Sequence, residues 1–255
     1  MARGLGRKEW AMSYKHILVL TGAGISAESG IPVFRAEDGL WENHRVEDVA
    51  TPEGFERNPQ LVHDFYNTMR RSVKEKQPNP AHLALTKLQT ELEKQGGTVT
   101  IVTQNIDDLH EKAKSHDVIH MHGELNSILC EHCGKSYEWH EDCDGTTVCK
   151  FCGHKTMRPD IVWFGEIPYH MEAIEREIQK CELFMAIGTS GVVYPAAGFV
   201  SYCSRQGKPC LEFNLTPSAN SGVFTQSYLG KAGTTLPAFV DYLLTHSTLP
   251  DPSDL

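Results

Sequence analysis

The stretch ILVLTGAGISAESGIPVFR, residues 17–35, decides how the chain is read. Ile17 to Leu20 form a continuous apolar run, the pattern of a strand covered on both faces. The run stops at a glycine-rich turn. Gly22, Gly24 and Ala27 fit G-x-G-x-x-A, a variant of the fingerprint that brings backbone N–H groups against a dinucleotide pyrophosphate. A hydride-transferring enzyme of this type returns to a second strand within ~30 residues and places an acid there for the adenosine ribose. This chain does neither. IPVFRAEDGLWENH, residues 31–44, reads as a long loop with Pro32 and Gly39, and the next strand signal is VTIVT at 99–103. Long ordered loops are usually functional, so a nucleotide site with a covering loop is expected in place of a dehydrogenase.

Working outward, further apolar runs lie at 117–120 (DVIH), 183–188 (LFMAIG) and 210–215 (CLEFNL). Helical patterns lie between them, at 59–76, 80–95, 106–113, 170–180 and 195–206, with Pro80 and Pro195 near helix starts, where a missing N–H costs little. Strands alternating with helices predict an α/β fold built on a Rossmann-like open parallel sheet.

One segment breaks this rhythm. From 124 to 160 the chain has cysteines, charges and turn residues without core periodicity. CEHC (Cys130, Cys133) and CKFC (Cys149, Cys152) are two C-x-x-C knuckles, which bring four thiolates together in the structural zinc pattern. His132, His154 and Cys143 are competing ligands; Cys143 has no partner at that spacing and is read as a spare thiol. Four ligands close the coordination sphere, so one Zn2+ is expected to hold a small inserted module together and to perform no chemistry.

Composition bounds the function. The 255 residues carry a net charge of −9, which argues against nucleic acid as a direct partner. No apolar run approaches the ~18 residues of a membrane helix, and MARGLGRKEWAMSYKH lacks the apolar stretch of a signal peptide, so a cytoplasmic location is expected. Eight cysteines without an export signal read as metal ligands and buried thiols.

In open parallel sheets, ligands bind beyond the carboxyl ends of the strands. TQNIDDLH (103–110), HMHGEL (120–125), GTSGVVYP (188–195) and FNLTPS (213–218) all follow strand signals. Each alone reads as a cap or a turn; their common position predicts one crevice.

Taken in order, GAGISAESGIPVFR, TQNID, HGEL, the paired knuckles, WFGE, GTSGVVYPAAGF and NLTPS closely resemble the sirtuin family, in particular the bacterial CobB-type NAD-dependent protein deacylases, from about residue 16 to 245. The resemblance implies that NAD is consumed as a co-substrate. The acyl oxygen of an acyl-lysine attacks the nicotinamide ribose, nicotinamide leaves, a histidine acts as general base, and lysine and O-acyl-ADP-ribose are released. It implies His122 as that base, with Asn105 and Asp107 holding nicotinamide and its ribose as part of the catalytic set. Gly22, Ala23, Gly24 and Arg35 match phosphate contacts, Gln104 a ribose contact, Gly188, Thr189 and Ser190 further phosphate and ribose contacts, and Asn214, Leu215, Thr216 and Ala232 the adenosine end. The acyl-lysine protein is expected to lie as an extended strand between Val162–Glu166, including Phe164 and Gly165, and Ser190–Tyr194, including Val193. The implied division is a discontinuous Rossmann-like domain (1–34, 80–123 and 161–247), a cofactor loop with the helical part of a small domain (35–79), the zinc module (124–160) and a flexible tail (248–255). A protein ADP-ribosyltransferase using the same NAD cleavage is the alternative.

One position departs from the succinyl-preferring branch, which carries Tyr-x-x-Arg beside a small alanine. Ala50 and Tyr66 match, but the arginine position is Met69, followed by Arg70. Acetyl and other neutral acyl groups are therefore the expected substrates. Succinyl depends on whether Arg70, about 100° further round the helix, supplies the charge.

Overall fold

The computed structural model describes residues 13–33 and 39–255. The strands are β1 (His16–Thr21), β2 (Leu40–Trp41), β3 (His44–Arg45), β4 (Thr98–Thr103), β5 (Val118–His120), β6 (Gly123–Cys130), β7 (Ser136–Glu138), β8 (Met157–Ile161), β9 (Leu183–Ile187), β10 (Cys210–Asn214) and β11 (Gln226–Leu229). The helices are α1 (Val46–Val49), α2 (Pro52–Arg57), α3 (Pro59–Lys74), α4 (Pro80–Glu93), α5 (Leu109–Lys112), α6 (Met171–Lys180), α7 (Phe199–Arg205) and α8 (Ala232–Leu243).

Six strands form one parallel sheet in the order β11-β10-β9-β1-β4-β5, as the alternating pattern predicts. Successive side chains of a strand point to opposite faces. Ile17 and Val19 of β1 pack with Leu85 and Leu88 of α4 and Leu236 and Phe239 of α8. Leu18 and Leu20 pack with Ile174 and Ile178 of α6 and Phe199 and Val200 of α7. Both faces are thus covered, which is why the run at 17–20 is apolar throughout. The chain leaves β1 for β4 on one side and later returns to β9 on the other. The strand order therefore reverses at β1, and a crevice opens at its carboxyl end.

Caps set the helix starts. Asn58 and Asn79 accept hydrogen bonds from the first turns of α3 and α4, each with proline at the first helical position. The helix expected over 106–113 is only Leu109–Lys112, because the Asp107 carboxylate accepts from the Leu109 N–H and holds the preceding residues out of the helix. The pattern over 195–206 divides into a 3-10 turn, Ala196–Gly198, and α7.

The cysteine-rich segment is more ordered than its pattern indicates: β7, β6 and β8 form an antiparallel sheet. The expectation of a fraying tail is corrected. The Tyr228 hydroxyl donates to the Pro250 carbonyl at 2.8 Å, and Leu249 and Leu255 pack on the α4–α8 core, so burial of two leucines holds the segment down. Part of the long loop is also ordered, as the β2–β3 hairpin ahead of α1. No helix among the described residues is long and apolar enough to cross a membrane.

Candidate active site

A cavity of about 250 Å³ opens beyond the carboxyl ends of β1, β4 and β9. Its floor begins at the glycine turn. Gly22 N–H donates to Ile187 O at 2.9 Å and Gly24 N–H to Gly188 O at 2.8 Å. A Cβ on Gly24 would stand 2.6 Å from Gly188 Cα, and one on Gly22 2.7 Å from Gly188 O. Only glycine lets the two turns pack this closely, and Gly188 itself sits at φ +63°. The segment that follows is a 3-10 helix, Ala23–Ser29.

Four polar side chains converge above this floor. Asn105 Nδ2 donates to Gly22 O at 3.1 Å and to Ser26 Oγ at 3.2 Å, and Ser26 Oγ donates to Asp107 Oδ2 at 3.0 Å. Burial pushes the Asp107 carboxyl above its ordinary range, opposed by the Leu109 N–H and the Ser26 hydroxyl. Gln104 Nε2 donates to Thr189 Oγ1 at 3.1 Å, joining the ends of β4 and β9.

His122 follows β5. Its Nδ1 lies 3.1 Å from Gln104 O, and its own carbonyl accepts from Val162 N–H at 2.9 Å. A carbonyl only accepts, so Nδ1 carries the proton and Nε2 keeps its lone pair. Burial holds the His122 pKa below the ordinary value, against the opposing Gln104 hydrogen bond. His120 behaves in the opposite sense. Burial lowers its pKa, but the Glu111 carboxylate, 2.8 Å from Nε2, together with Glu124 and the Asn105 carbonyl, raises it overall.

The structure places Gly22, Ala23, Gln104, Asn105, Asp107, His122, Gly188, Thr189 and Ser190 on this one cavity. Ala50, Tyr66, Met69, Val162, Phe164, Gly165 and Val193 line it as well. Gly24 supports it from behind. Asn214 bonds to Thr189 O at 2.9 Å but, with Leu215, Thr216 and Ala232, stays outside the enclosed part; Leu215 is 68% exposed. Arg35 lies outside the described residues.

Arg70 is a correction: it does not reach the cavity. Its Nε donates to Leu125 O at 2.8 Å and its Nη1 to Asn67 Oδ1 at 2.8 Å and Glu141 O at 3.2 Å. The 100° step from Met69 turns the guanidinium toward the cysteine-rich segment, where backbone carbonyls hold it. Sequence reading did not single out Ser26, Trp41 or Ile106, and reached Trp163 only within the 162–166 segment; all four line the cavity. Ser26 was legible within GAGIS, two residues past the second glycine; Trp41 carries no local signal.

Two opposed edges frame the mouth. On one, Phe164 N–H donates to Ala50 O at 3.0 Å, and Glu166 grips Arg158 at 2.8 and 3.0 Å while accepting from Trp163 N–H at 2.8 Å. On the other lie Ser190, Val193 and Tyr194.

Away from the cavity, Cys130, Cys133, Cys149 and Cys152 bring their sulfurs within 4.8 Å of one another. The Cys130–Cys152 and Cys133–Cys149 separations are 3.6 and 3.8 Å. A tetrahedron with Zn–S bonds of about 2.3 Å has edges of about 3.8 Å, whereas a disulfide needs about 2.05 Å. The four thiols therefore form a structural zinc site. Cys143 is outside it, buried beside it, and His132 and His154 stack on each other at 3.5 Å instead of joining it.

The Sir2 family model matches residues 22–195. An NAD-dependent protein deacylase of Vibrio cholerae is 52% identical over 237 residues, covering 92% of this chain and 95% of that protein. A Sir2 homologue solved as its NAD complex superposes with a TM-score of 0.81 at 37% identity, covering 90% of each chain. A Sir2 protein bound to an acetylated peptide gives a TM-score of 0.75 at 29% identity over 89% of this chain and 93% of that one. With the glycine turn, the strand-end polar residues and the four-cysteine site in one fold, the chain belongs to the Sir2, or sirtuin, family.

Proposed function

We propose that this enzyme is an NAD-dependent protein deacylase that removes acetyl and related acyl groups from lysine side chains, consuming NAD and releasing nicotinamide and O-acyl-ADP-ribose. The observation that supports the reading most directly is His122. It is a neutral imidazole with Nε2 unspent, on the same cavity as the glycine turn and the Asn105–Ser26–Asp107 network.

In this reading the turn at Gly22–Gly24 receives the pyrophosphate of NAD, since its backbone is pressed against Gly188 with no side chain in the way. Asn105 and Asp107 hold the nicotinamide half, and Gln104, Thr189 and Ser190 hold ribose and phosphate. Asn214, Leu215, Thr216 and Ala232 form the open adenosine end, and Arg35 is assigned to the phosphates by motif alone. Nicotinamide departure leaves positive charge at the ribose, which a buried carboxylate stabilises in a medium of low dielectric. His122 Nε2 then takes a hydroxyl proton, passing charge onto a ring whose Nδ1–H is anchored on Gln104 O.

The protein substrate enters as an extended segment between 162–166 and 190–194, adding a strand to two exposed backbones. Phe164 and Tyr194, 46% and 76% exposed, offer it apolar surface. The net charge of −9 suits basic, lysine-bearing segments and not nucleic acid, and a cytoplasmic location belongs to the same reading.

Incubation of the enzyme with NAD and an acetyl-lysine peptide tests this. Nicotinamide, free lysine and O-acetyl-ADP-ribose are expected in equal amounts, and only when both substrates are present. ADP-ribose attached to protein without free lysine would establish a transferase instead.

A further inference from the structure

The inner end of the cavity has a composition of its own. Ala50, Tyr66, Met69, Val73, Leu125 and Trp163 build it, all buried. Tyr66, Met69 and Val73 share one stripe of α3, so this apolar wall runs about 10 Å along the helix. The polar atom it offers is the Tyr66 hydroxyl, which already accepts from Trp163 Nε1 at 3.0 Å. Among the described residues, no lysine or arginine lines the cavity. The two nearby guanidiniums are committed elsewhere. Arg70 donates through Nε and Nη1 to Leu125 O, Asn67 and Glu141 O, its buried Nη2 has no partner among the described residues, and the residue is not part of the cavity lining. Arg158 stacks 3.4 Å from the centre of the Trp163 ring and is paired with Glu166.

Resting on the deacylase reading above, we propose that this pocket selects neutral acyl chains longer than acetyl, from butyryl to hexanoyl, and rejects acyl groups that end in a carboxylate. A methylene that leaves water for such a wall is worth about fourfold in binding. A carboxylate there has one neutral hydroxyl to meet it and no cation, so it keeps its desolvation cost. Met69 decides the difference: an unbranched thioether follows the contour of an acyl chain and offers a carboxylate nothing. Val73 and Leu125, 6% and 1% exposed, belong to the same apolar lining.

One peptide carrying acetyl-, butyryl-, hexanoyl- or succinyl-lysine, with NAD saturating and nicotinamide release followed, provides the test. Butyryl or hexanoyl is expected to exceed acetyl severalfold in kcat/KM, with succinyl at least about tenfold below butyryl. Met69→Arg is expected to raise the succinyl-to-butyryl ratio more than about tenfold. The wild-type panel decides the matter even if that variant does not fold. Succinyl equal to or better than butyryl, or turnover of acetyl alone, overturns the proposal and leaves deacylation standing. Absence of turnover on every peptide overturns both.

Discussion

Replacing Arg70 with alanine separates an anchoring role from a substrate-binding one. The side chain is 3% exposed and donates to two backbone carbonyls, of Leu125 in β6 and Glu141, and to Asn67. Hydrogen bonds from a charged donor contribute about 1.5–3 kcal/mol each, and a buried acceptor left without its donor costs about 1–3 kcal/mol. Losing the guanidinium also removes its own desolvation cost, so the sum is smaller than three bonds would give. Arg70→Ala is therefore expected to destabilise the protein by about 2–4 kcal/mol. Urea denaturation followed by circular dichroism measures this directly. At a temperature where the variant is still folded, the ratio of kcat/KM for succinyl- and butyryl-lysine peptides should equal that of the wild type. Unchanged stability together with a selective loss of succinyl turnover would show that the guanidinium faces the acyl group and that the orientation derived above is wrong.

His122→Ala should lower kcat/KM by ~10²–10⁴ while NAD affinity, measured calorimetrically, is retained. Because burial lowers the His122 pKa and the base must be neutral, the acid limb of the wild-type kcat/KM profile should fall below pH 6.5; a limb above that value contradicts the assignment. Removal of zinc by a chelator, or Cys130→Ser, should reduce thermal midpoint and activity together, and a metal-free protein of unchanged midpoint would refute a structural site. Acid should weaken the fold through His82 and His110. Burial holds His82 down to about 4, and burial first, then neighbouring histidines, holds His110 well below the ordinary range. The unfolded chain takes up these protons near pH 6.5, so stability is full above that value and declines as pH falls toward 4. A urea midpoint equal at pH 7 and pH 5 would contradict this.

The parallel sheet was legible because β1 and β9 are buried on both faces and carry apolar runs, and β4 and β10 keep mainly β-branched or apolar residues despite Thr98, Thr100 and Glu212. β11 and α8 were not. QSYL is short and half polar, and Pro237 inside α8 imitates a helix end, although the packing of Leu236, Phe239 and Val240 overrides it. The sheet around the zinc was hidden for a different reason. Its order comes from metal ligation and hydrogen bonds, and neither leaves an apolar period. The strand-end residues could be read because the fold gathers the ends of β1, β4, β5 and β9 into one crevice, with the β10 end at its open side. The direction of Arg70 could not, because it depends on which carbonyls of a distant segment stand opposite one turn of α3.

Helix α3 faces two neighbours at once. Tyr66, Met69 and Val73 lie within about 60° of arc and look into the cavity. On the adjoining arc, Asn67 exchanges two hydrogen bonds of 2.9 Å with the backbone of Cys143, and Arg70 reaches Glu141. Cavity lining and attachment of the cysteine-rich module are thus written on interleaved but separate positions of a single helix. Under the acyl-pocket proposal, residue 69 sets substrate preference while residues 67 and 70 keep the module docked. A substitution at residue 69 therefore leaves every hydrogen bond between this helix and the 141–143 segment in place.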